Sequence, residues 1–163
     1  MDLHSTLAKL TRHPAFKEWH TENPEAFIAH AFVMLDDENK DTWQIGFYTI
    51  STQKMVTFVV SPSGIQHTPE QEVLKTEGEI QKFEPQQVTV SVEDALKIAE
   101  ECKEKNYSAE KPFKQFFIIQ TIEGKAAFNI TFLSQSFKTV NIKIDAGSGN
   151  IIKHSVQSLA EFG

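Results

Sequence analysis

Apolar residues in the first part of the chain change from helical spacing to strand-like spacing, and this change predicts the first elements. Leucines recur every three to four residues over residues 3–11, which is typical of an amphipathic helix. Pro14 suits the first turn of a second short helix, and Asn23 and Pro24 end that helix.

Three strands and the start of a fourth are predicted after these helices. Residues 27–35 are almost wholly apolar, residues 42–50 alternate in polarity, and residues 54–60 are rich in β-branched side chains. Ile65 begins a short fourth strand. Short polar turns separate the four segments, so we expect neighbouring strands to pair antiparallel.

The second half predicts the same order of elements. Residues 67–87 are polar and indicate a linker. Ser91 is suited to cap a helix because its hydroxyl can accept a backbone N–H, and Asp94 follows three residues later. This helix has one apolar stripe, formed by Val92, Ala95, Leu96, Ala99 and Cys102. Strands are predicted at residues 113–121, 126–134, 138–145 and 150–156.

These elements predict an α+β fold of two repeats, each a helix followed by a four-stranded antiparallel meander, with the helices packed on curled sheets. An offset of 85 residues aligns the halves without a gap and places Trp43 on Phe128. A register kept through several turns favours a repeat, because one inserted residue turns each later side chain to the other face. Chance similarity of two meanders is the alternative. The predicted units are residues 1–68, a linker at 69–90, and residues 91–163.

The third strand of the first half has apolar residues on both faces. In the gapless alignment its side chains stand where the second half has polar ones, and they are Val56, Phe58 and Val60. An apolar face needs a cover, which the N-terminal helices, the other half or a second chain would supply. The three residues are therefore a candidate interface, and coverage within the chain is the favoured alternative.

The second half resembles a PepSY domain. The helix carries Ser-Val-Glu-Asp-Ala-Leu-Lys-Ile-Ala over residues 91–99, similar to the family's "eeAlkiA". The final hairpin, residues 140–152, is similar to the family's "V-x-V-D-x-x-T-G-x-I/V", with Asp145 at the acidic position and Ser148 in place of Thr. The first half departs from the pattern, since Val60 replaces the Asp.

The resemblance implies a cystatin-like fold and a non-catalytic module that restrains a peptidase or regulates another partner. Asp145 is the family-typical polar residue, and its expected role is to hydrogen-bond backbone amides of the turn that follows it. The expected partner is another protein or a second copy of this chain.

Composition narrows the classes of function. The net charge is −6 and no cluster of Lys and Arg is present, which disfavours nucleic-acid binding. Cys102 is the single cysteine, so no disulfide within the chain is expected. No apolar segment is long enough for a membrane span, and no signal peptide is evident, so a cytoplasmic location and no membrane contact are expected.

No motif for catalysis, a cofactor or a metal is evident. The six histidines lack the spacing of metal ligands, and Cys102 has no neighbouring base. We therefore expect a binding or regulatory module that is not an enzyme. The alternative is a small-ligand or enzymatic pocket inside the curled sheet, with His30, Trp43 and Tyr48 at its mouth.

Overall fold

Three α-helices and nine strands form the regular structure of residues 2–73 and 80–159, which are the residues that the computed structural model describes. The helices are α1 (Leu3–Arg12), α2 (Pro14–Glu22) and α3 (Val92–Asn106), with a 3₁₀ turn at Pro85–Gln87. The strands of the first half are β1 (Phe27–Met34), β2 (Trp43–Thr49), β3 (Lys54–Ser61), β4 (Gly64–His67) and β5 (Gln71–Glu72). Those of the second half are β6 (Pro112–Ile122), β7 (Lys125–Ser134), β8 (Lys138–Asp145) and β9 (Ile151–Ser158).

All nine strands belong to one antiparallel sheet. Its order is β4-β3-β2-β1-β6-β7-β8-β9, with β5 paired to β3. Each half contributes a meander, and the two meanders join where β1 pairs with β6, with Ala31 opposite Ile119. The predicted α+β class with antiparallel strands is confirmed. The sheet is continuous across both halves, whereas the sequence predicted curled sheets in separate units.

The helices begin where the sequence predicts. Asp2 caps α1, since its carboxylate accepts the backbone N–H of Ser5. Pro14 is the first residue of α2. Ser91 caps α3, and its hydroxyl accepts the backbone N–H of Asp94 at 3.0 Å. Each cap satisfies a first-turn N–H that has no partner within its own helix.

The interface predicted at Val56, Phe58 and Val60 is wrong, because all three side chains are in the core. They are 4%, 0% and 0% exposed. The ring centroids of Phe16 and Trp19 on α2 lie 5.3 and 5.2 Å from that of Phe58. Helix α2 therefore covers the apolar face of β3, which is the alternative that the sequence favoured.

The gapless alignment of the halves is wrong outside β2 and β7. Ile45 of β2 lies opposite Phe58, whereas Ile130 of β7 lies opposite Ile142. Phe58 therefore matches Ile142, which is also buried, and not Lys143 as the gapless alignment has it. The β2–β3 hairpin holds one residue more than the β7–β8 hairpin, so β3 is an ordinary strand with one core face.

The predicted linker is packed against the rest of the chain in its described part. Phe83 is 0% exposed and its backbone N–H donates to the carbonyl of Ile28. Val88 is 5% exposed. Residues 80–83 form no strand, and residues 74–79 of the predicted linker lie outside the described residues. Among the described residues, no helix is long and apolar enough to cross a membrane.

Candidate functional site

The β9 strand forms one end of the sheet. It is eight residues long and pairs with β8 along one side, and within residues 2–73 and 80–159 no strand pairs with its other side. The opposite end of the sheet is formed by β4, which is four residues long. A long strand at the edge of a sheet offers a row of backbone donors and acceptors to another chain. We call this outer side of Ile151–Ser158 the β9 edge.

The register shows which backbone groups of β9 face outward. The N–H of Leu159 donates to the carbonyl of Phe137 at 2.9 Å. Hydrogen-bonded and non-hydrogen-bonded pairs alternate along an antiparallel ladder. Following the β8–β9 register from this bond, the N–H of Ser155 points toward β8, and the N–H groups of His154 and Val156 point away from it.

A groove of about 690 Å³ runs between α3 and the β9 edge. We call it the α3–β9 groove. Its apolar lining comes from Ile98 and Cys102 of α3 and from Ile151 and Ile152 of β9. Ile151 and Ile152 are 43% and 37% exposed, and Val156 further along the same strand is 40% exposed. These exposed side chains lie beside the outward-facing backbone, so apolar surface and unpaired strand edge coincide.

One side chain from each element joins α3 to β9 beside this groove. The Tyr107 hydroxyl lies 2.7 Å from Nδ1 of His154, and the two rings meet edge to face at 5.6 Å. Tyr107 is the residue at which α3 ends. This contact links the C-terminal end of α3 to β9 beside the groove.

The β9 edge carries positive charge on a chain that is acidic overall. Ile151–Ser158 contains Lys153 and His154 and no Asp or Glu. Lys153 lies directly opposite Lys143 of β8. Within the described residues, neither lysine forms an ion pair with a carboxylate. Like charges at opposed positions of two strands repel each other. A carboxylate placed near these two lysines would reduce this repulsion.

Asp145 shapes the turn that leads into β9. Its Oδ1 accepts the backbone N–H groups of Gly147 and Ser148 at 2.8 and 2.9 Å. These hydrogen bonds, with the Ser148 N–H as the larger contribution, lower the pKa of Asp145 below its usual value of 3.8. Nearby Lys125 lowers the pKa further. The turn role expected for Asp145 is what the geometry shows.

The structure does not bring the predicted pocket residues His30, Trp43 and Tyr48 together. Trp43 is 2% exposed and faces the core, where its ring meets Phe117. Tyr48 is 1% exposed and packs against Phe27 on the helix-free face.

Of the three predicted residues, His30 lines a cavity, of about 330 Å³. Met55 and Gln120 also line this cavity. Burial lowers the pKa of His30. The His30 ring also covers Gly46, where an added Cβ would lie 2.3 Å from ring atom Cε1. The observed arrangement therefore gives His30 a packing role in the sheet.

A second apolar cavity, of about 420 Å³, lies between α1 and α3. Leu3, Val88 and Val92 line it, with Ile119 and Phe128 of the sheet. His4 closes part of it through a 2.8 Å contact between its Nε2 and the carbonyl of Val88. Of its polar lining, Asp2 and Ser91 cap helices, His4 makes this contact, and the Thr89 hydroxyl donates to the carbonyl of Gly147.

The buried carboxylate of Glu110 organises the loop regions at the other end of the second half. Its Oε2 accepts hydrogen bonds from the hydroxyls of Ser134 and Ser136, and its Oε1 lies 3.6 Å from Nζ of Lys138. The two hydroxyls lower the pKa of Glu110. Both carboxylate oxygens have partners, and these contacts connect the α3–β6 loop to the β7–β8 turn. In the described part of the chain, no group of three or more metal-ligating side chains is found.

The sequence predicted β9 but not its role. Ile151, Ile152 and Val156 were visible as apolar residues of the predicted strand at 150–156. The position of this strand at the edge of the sheet is known only from the structure. The α3–β9 groove itself depends on where α3 lies on the sheet, which the sequence pattern does not specify.

Comparison with solved structures finds a similar fold in a protein from Clostridium difficile 630 that is described as a "putative lipoprotein". The TM-score is 0.58 at 10% sequence identity, and the match covers 88% of this chain and 90% of that chain. At this identity the likeness shows a shared fold alone. No protein-family model and no curated protein sequence matches the chain.

Proposed function

We propose that this chain is a non-catalytic binding module that adds an extended segment of a partner protein to the β9 edge. The single observation that carries the proposal is that a long strand, paired on one side only among the described residues, also carries exposed apolar side chains. Docked strands gain affinity from main-chain hydrogen bonds and specificity from pockets for alternate side chains. The β9 edge and the α3–β9 groove offer both.

The geometry supports binding without large rearrangement. His154 and Val156 direct their backbone N–H groups outward, so a partner strand can hydrogen-bond there while the β8–β9 ladder stays intact. The contact between Tyr107 and His154 links α3 to β9 beside the groove. A groove that is already formed reduces the ordering cost of binding.

Charge favours a partner protein over a second copy of this chain. A second β9 would bring another Lys153 to the edge, and no carboxylate with it. Each copy also carries a net charge of −6. Pairing of two copies therefore brings like charges together, both at the strand edge and between the whole chains. A partner strand with acidic residues instead brings opposite charge to the strand edge.

We also propose that the two halves are PepSY-like repeats that have diverged. Support comes from the order of elements, since helices precede a four-stranded meander in each half. The turn at Asp145 further supports it, because the acidic side chain organises the Ser148-Gly149 hairpin as the resemblance implies. The regulatory role of such domains, including restraint of a peptidase, stays a hypothesis for this chain.

The cytoplasmic location expected from the sequence also stays a prediction. The protein with a similar fold is described as a "putative lipoprotein", which supports the cell envelope as the alternative. Fractionation of cells that produce the chain tests the two locations. Recovery with the membrane fraction contradicts the cytoplasmic prediction.

Selection of peptides from a random displayed library tests the proposed function. Peptides are selected on the wild type and then measured on Val156→Pro and on Val156→Thr. Proline removes the outward N–H of residue 156 but no hydrogen bond to β8, and it is tolerated on edge strands. Threonine keeps the N–H and the β propensity and serves as the matched control.

We expect selected peptides to bind the wild type and Val156→Thr, and to lose most of their affinity for Val156→Pro. Equal binding to all three proteins, or no enriched peptide at all, contradicts the proposal. Light scattering on the same proteins tests whether a second copy of this chain, and not a partner protein, pairs with the β9 edge. A wild-type dimer that becomes a monomer on Val156→Pro would show that a second copy occupies the β9 edge.

A further inference from the structure

We infer that the segment docked on the β9 edge alternates acidic and apolar residues, with the acidic side chains beside Lys143 and Lys153 and the apolar ones over the α3–β9 groove. This inference rests on the proposed function. It adds the chemical class of the partner segment, which strand pairing by itself leaves open.

The two faces of β9 differ in character, and a paired strand must match both. His154 lies opposite Ile142 and Val156 opposite Val140, so these side chains stand on the helix-covered face. Lys153 lies opposite Lys143 and stands on the helix-free face. Successive side chains of a paired strand also point to opposite faces. Alternate residues of the partner therefore meet an apolar groove and a pair of lysines.

Among the described residues, no carboxylate forms an ion pair with these lysines on the helix-free face. Asn129 lies opposite Lys143. The side-chain Oδ1 of Asn129 accepts a hydrogen bond from the side-chain amide of Asn141 at 2.6 Å. Asp145 is the nearest acidic residue along β8, and its carboxylate is engaged by two backbone N–H groups of its own turn. A carboxylate on a partner strand would thus be the first to form an ion pair with Lys153, the lysine directly beside it, or with Lys143 one strand further in.

The groove side selects against charge. Its lining contains Glu101 and Lys105 of α3, one of each sign, Lys153 of β9, and the apolar residues Ile98, Ile151 and Ile152. The β8–β9 register directs the Lys153 side chain to the other face, so apolar side chains dominate what a partner strand meets on the groove side. Apolar side chains gain by burying the exposed isoleucines.

Two synthetic peptides test the inference. Each has eight residues, the length of β9, and alternates Val with Glu in one and Val with Lys in the other. Both carry a fluorescent label, and binding is read from anisotropy. The proteins are the wild type, Lys153→Glu at the site, and Lys40→Glu in the exposed β1–β2 loop as a control with the same change in net charge.

We expect the Val/Glu peptide to bind the wild type about fivefold or more tightly than the Val/Lys peptide, the ratio expected for one well-placed charge pair. Lys153→Glu should reverse the preference, and Lys40→Glu should leave it unchanged. An equal shift in both variants would mean that net charge, and not the site, sets the preference, and this overturns the inference.

Failure of the inference can be separated from failure of the proposed function. If the Val/Lys peptide binds the wild type as well as the Val/Glu peptide does, and both are lost on Val156→Pro, the acidic pattern is wrong and the docking site stands. The acidic pattern is also wrong, and the docking site also stands, if neither the Val/Glu nor the Val/Lys peptide binds while library-selected peptides bind and are lost on Val156→Pro. If no library-selected peptide is lost on Val156→Pro, the docking site itself is wrong.

Discussion

The two ends of the sheet are finished in different ways. At one end β3 is flanked by the short strands β4 and β5, and Phe58 lies fully buried beneath α2. At the other end β9 is long, and Ile151 and Val156 remain 43% and 40% exposed. Both ends carry apolar side chains, but among the described residues only the β3 end is covered by the chain.

The difference follows from the side chains that each helix brings to the sheet. Helix α2 brings Phe16 and Trp19, and these large rings reach across to β3. Helix α3 buries the small residues Ala95 and Ala99, and it packs on β7 and β8. Small side chains let a helix lie close to a sheet but do not extend its cover sideways. The strand beyond β8 is therefore left with an apolar groove beside it.

The largest effect that would test this comparison is a truncation at the covered end. Phe58→Ala removes a fully buried ring from an aromatic cluster, so we expect it to lower the free energy of unfolding by about 3–5 kcal/mol. Phe113→Ala, at a side chain that is 54% exposed, is the control and should cost less than about 1 kcal/mol. Urea unfolding measures both. Similar costs for the two variants would mean that the β3 end is not packed as described.

A proline scan at the open end is expected to give the next largest effect. Ser155→Pro removes an N–H that points toward β8, so we expect a loss of about 1–3 kcal/mol, as for a buried backbone group left without its partner. Val156→Pro removes an outward N–H and should cost clearly less, although the two residues are adjacent. Thermal and urea unfolding measure the difference. The reverse order would show that the outward and inward positions have been exchanged.

The turn between β8 and β9 should give a smaller effect that depends on pH. Asp145→Ala removes two hydrogen bonds to backbone N–H groups, and we expect a loss of about 1 kcal/mol at neutral pH. Because folding lowers the pKa of Asp145, its contribution is present above the usual value of 3.8 and is lost as the pH falls through the folded value.

The difference between wild type and Asp145→Ala should therefore shrink when unfolding is measured at about pH 3 instead of pH 7. Asp37→Ala in the exposed β1–β2 loop is the control and should change stability by less than about 0.5 kcal/mol at either pH. A difference that is independent of pH would assign the effect of Asp145→Ala to chain geometry and not to the carboxylate charge.

The sequence predicted the elements well because each rests on local chemistry. The Ser91 cap, Pro14 at the start of α2 and the alternation of residues 138–145 depend on neighbours within a few residues. The α+β class with antiparallel pairing follows from these elements and their short turns.

The prediction of the β3 face failed because one additional residue in a hairpin changes which side chains of the two halves correspond. The extra residue in the β2–β3 hairpin shifts β3 relative to the repeat, and this made Val56, Phe58 and Val60 look like a second apolar face. Alternation alone cannot separate a core face from an exposed one when both carry apolar residues. The pairing of β1 with β6 and the placement of α3 are tertiary choices, so the α3–β9 groove was not visible in the sequence.

Amide hydrogen exchange at β9, followed by NMR with and without a library-selected peptide, tests the central claim most directly. The N–H groups of His154 and Val156 should exchange rapidly in the free protein and slow by about tenfold or more in the complex, as expected when an exposed amide gains a hydrogen-bond partner. Ser155, which points toward β8, should be slow in both. The claim is contradicted if His154 and Val156 are already as slow as Ser155 in the free protein, or stay rapid while the peptide is bound.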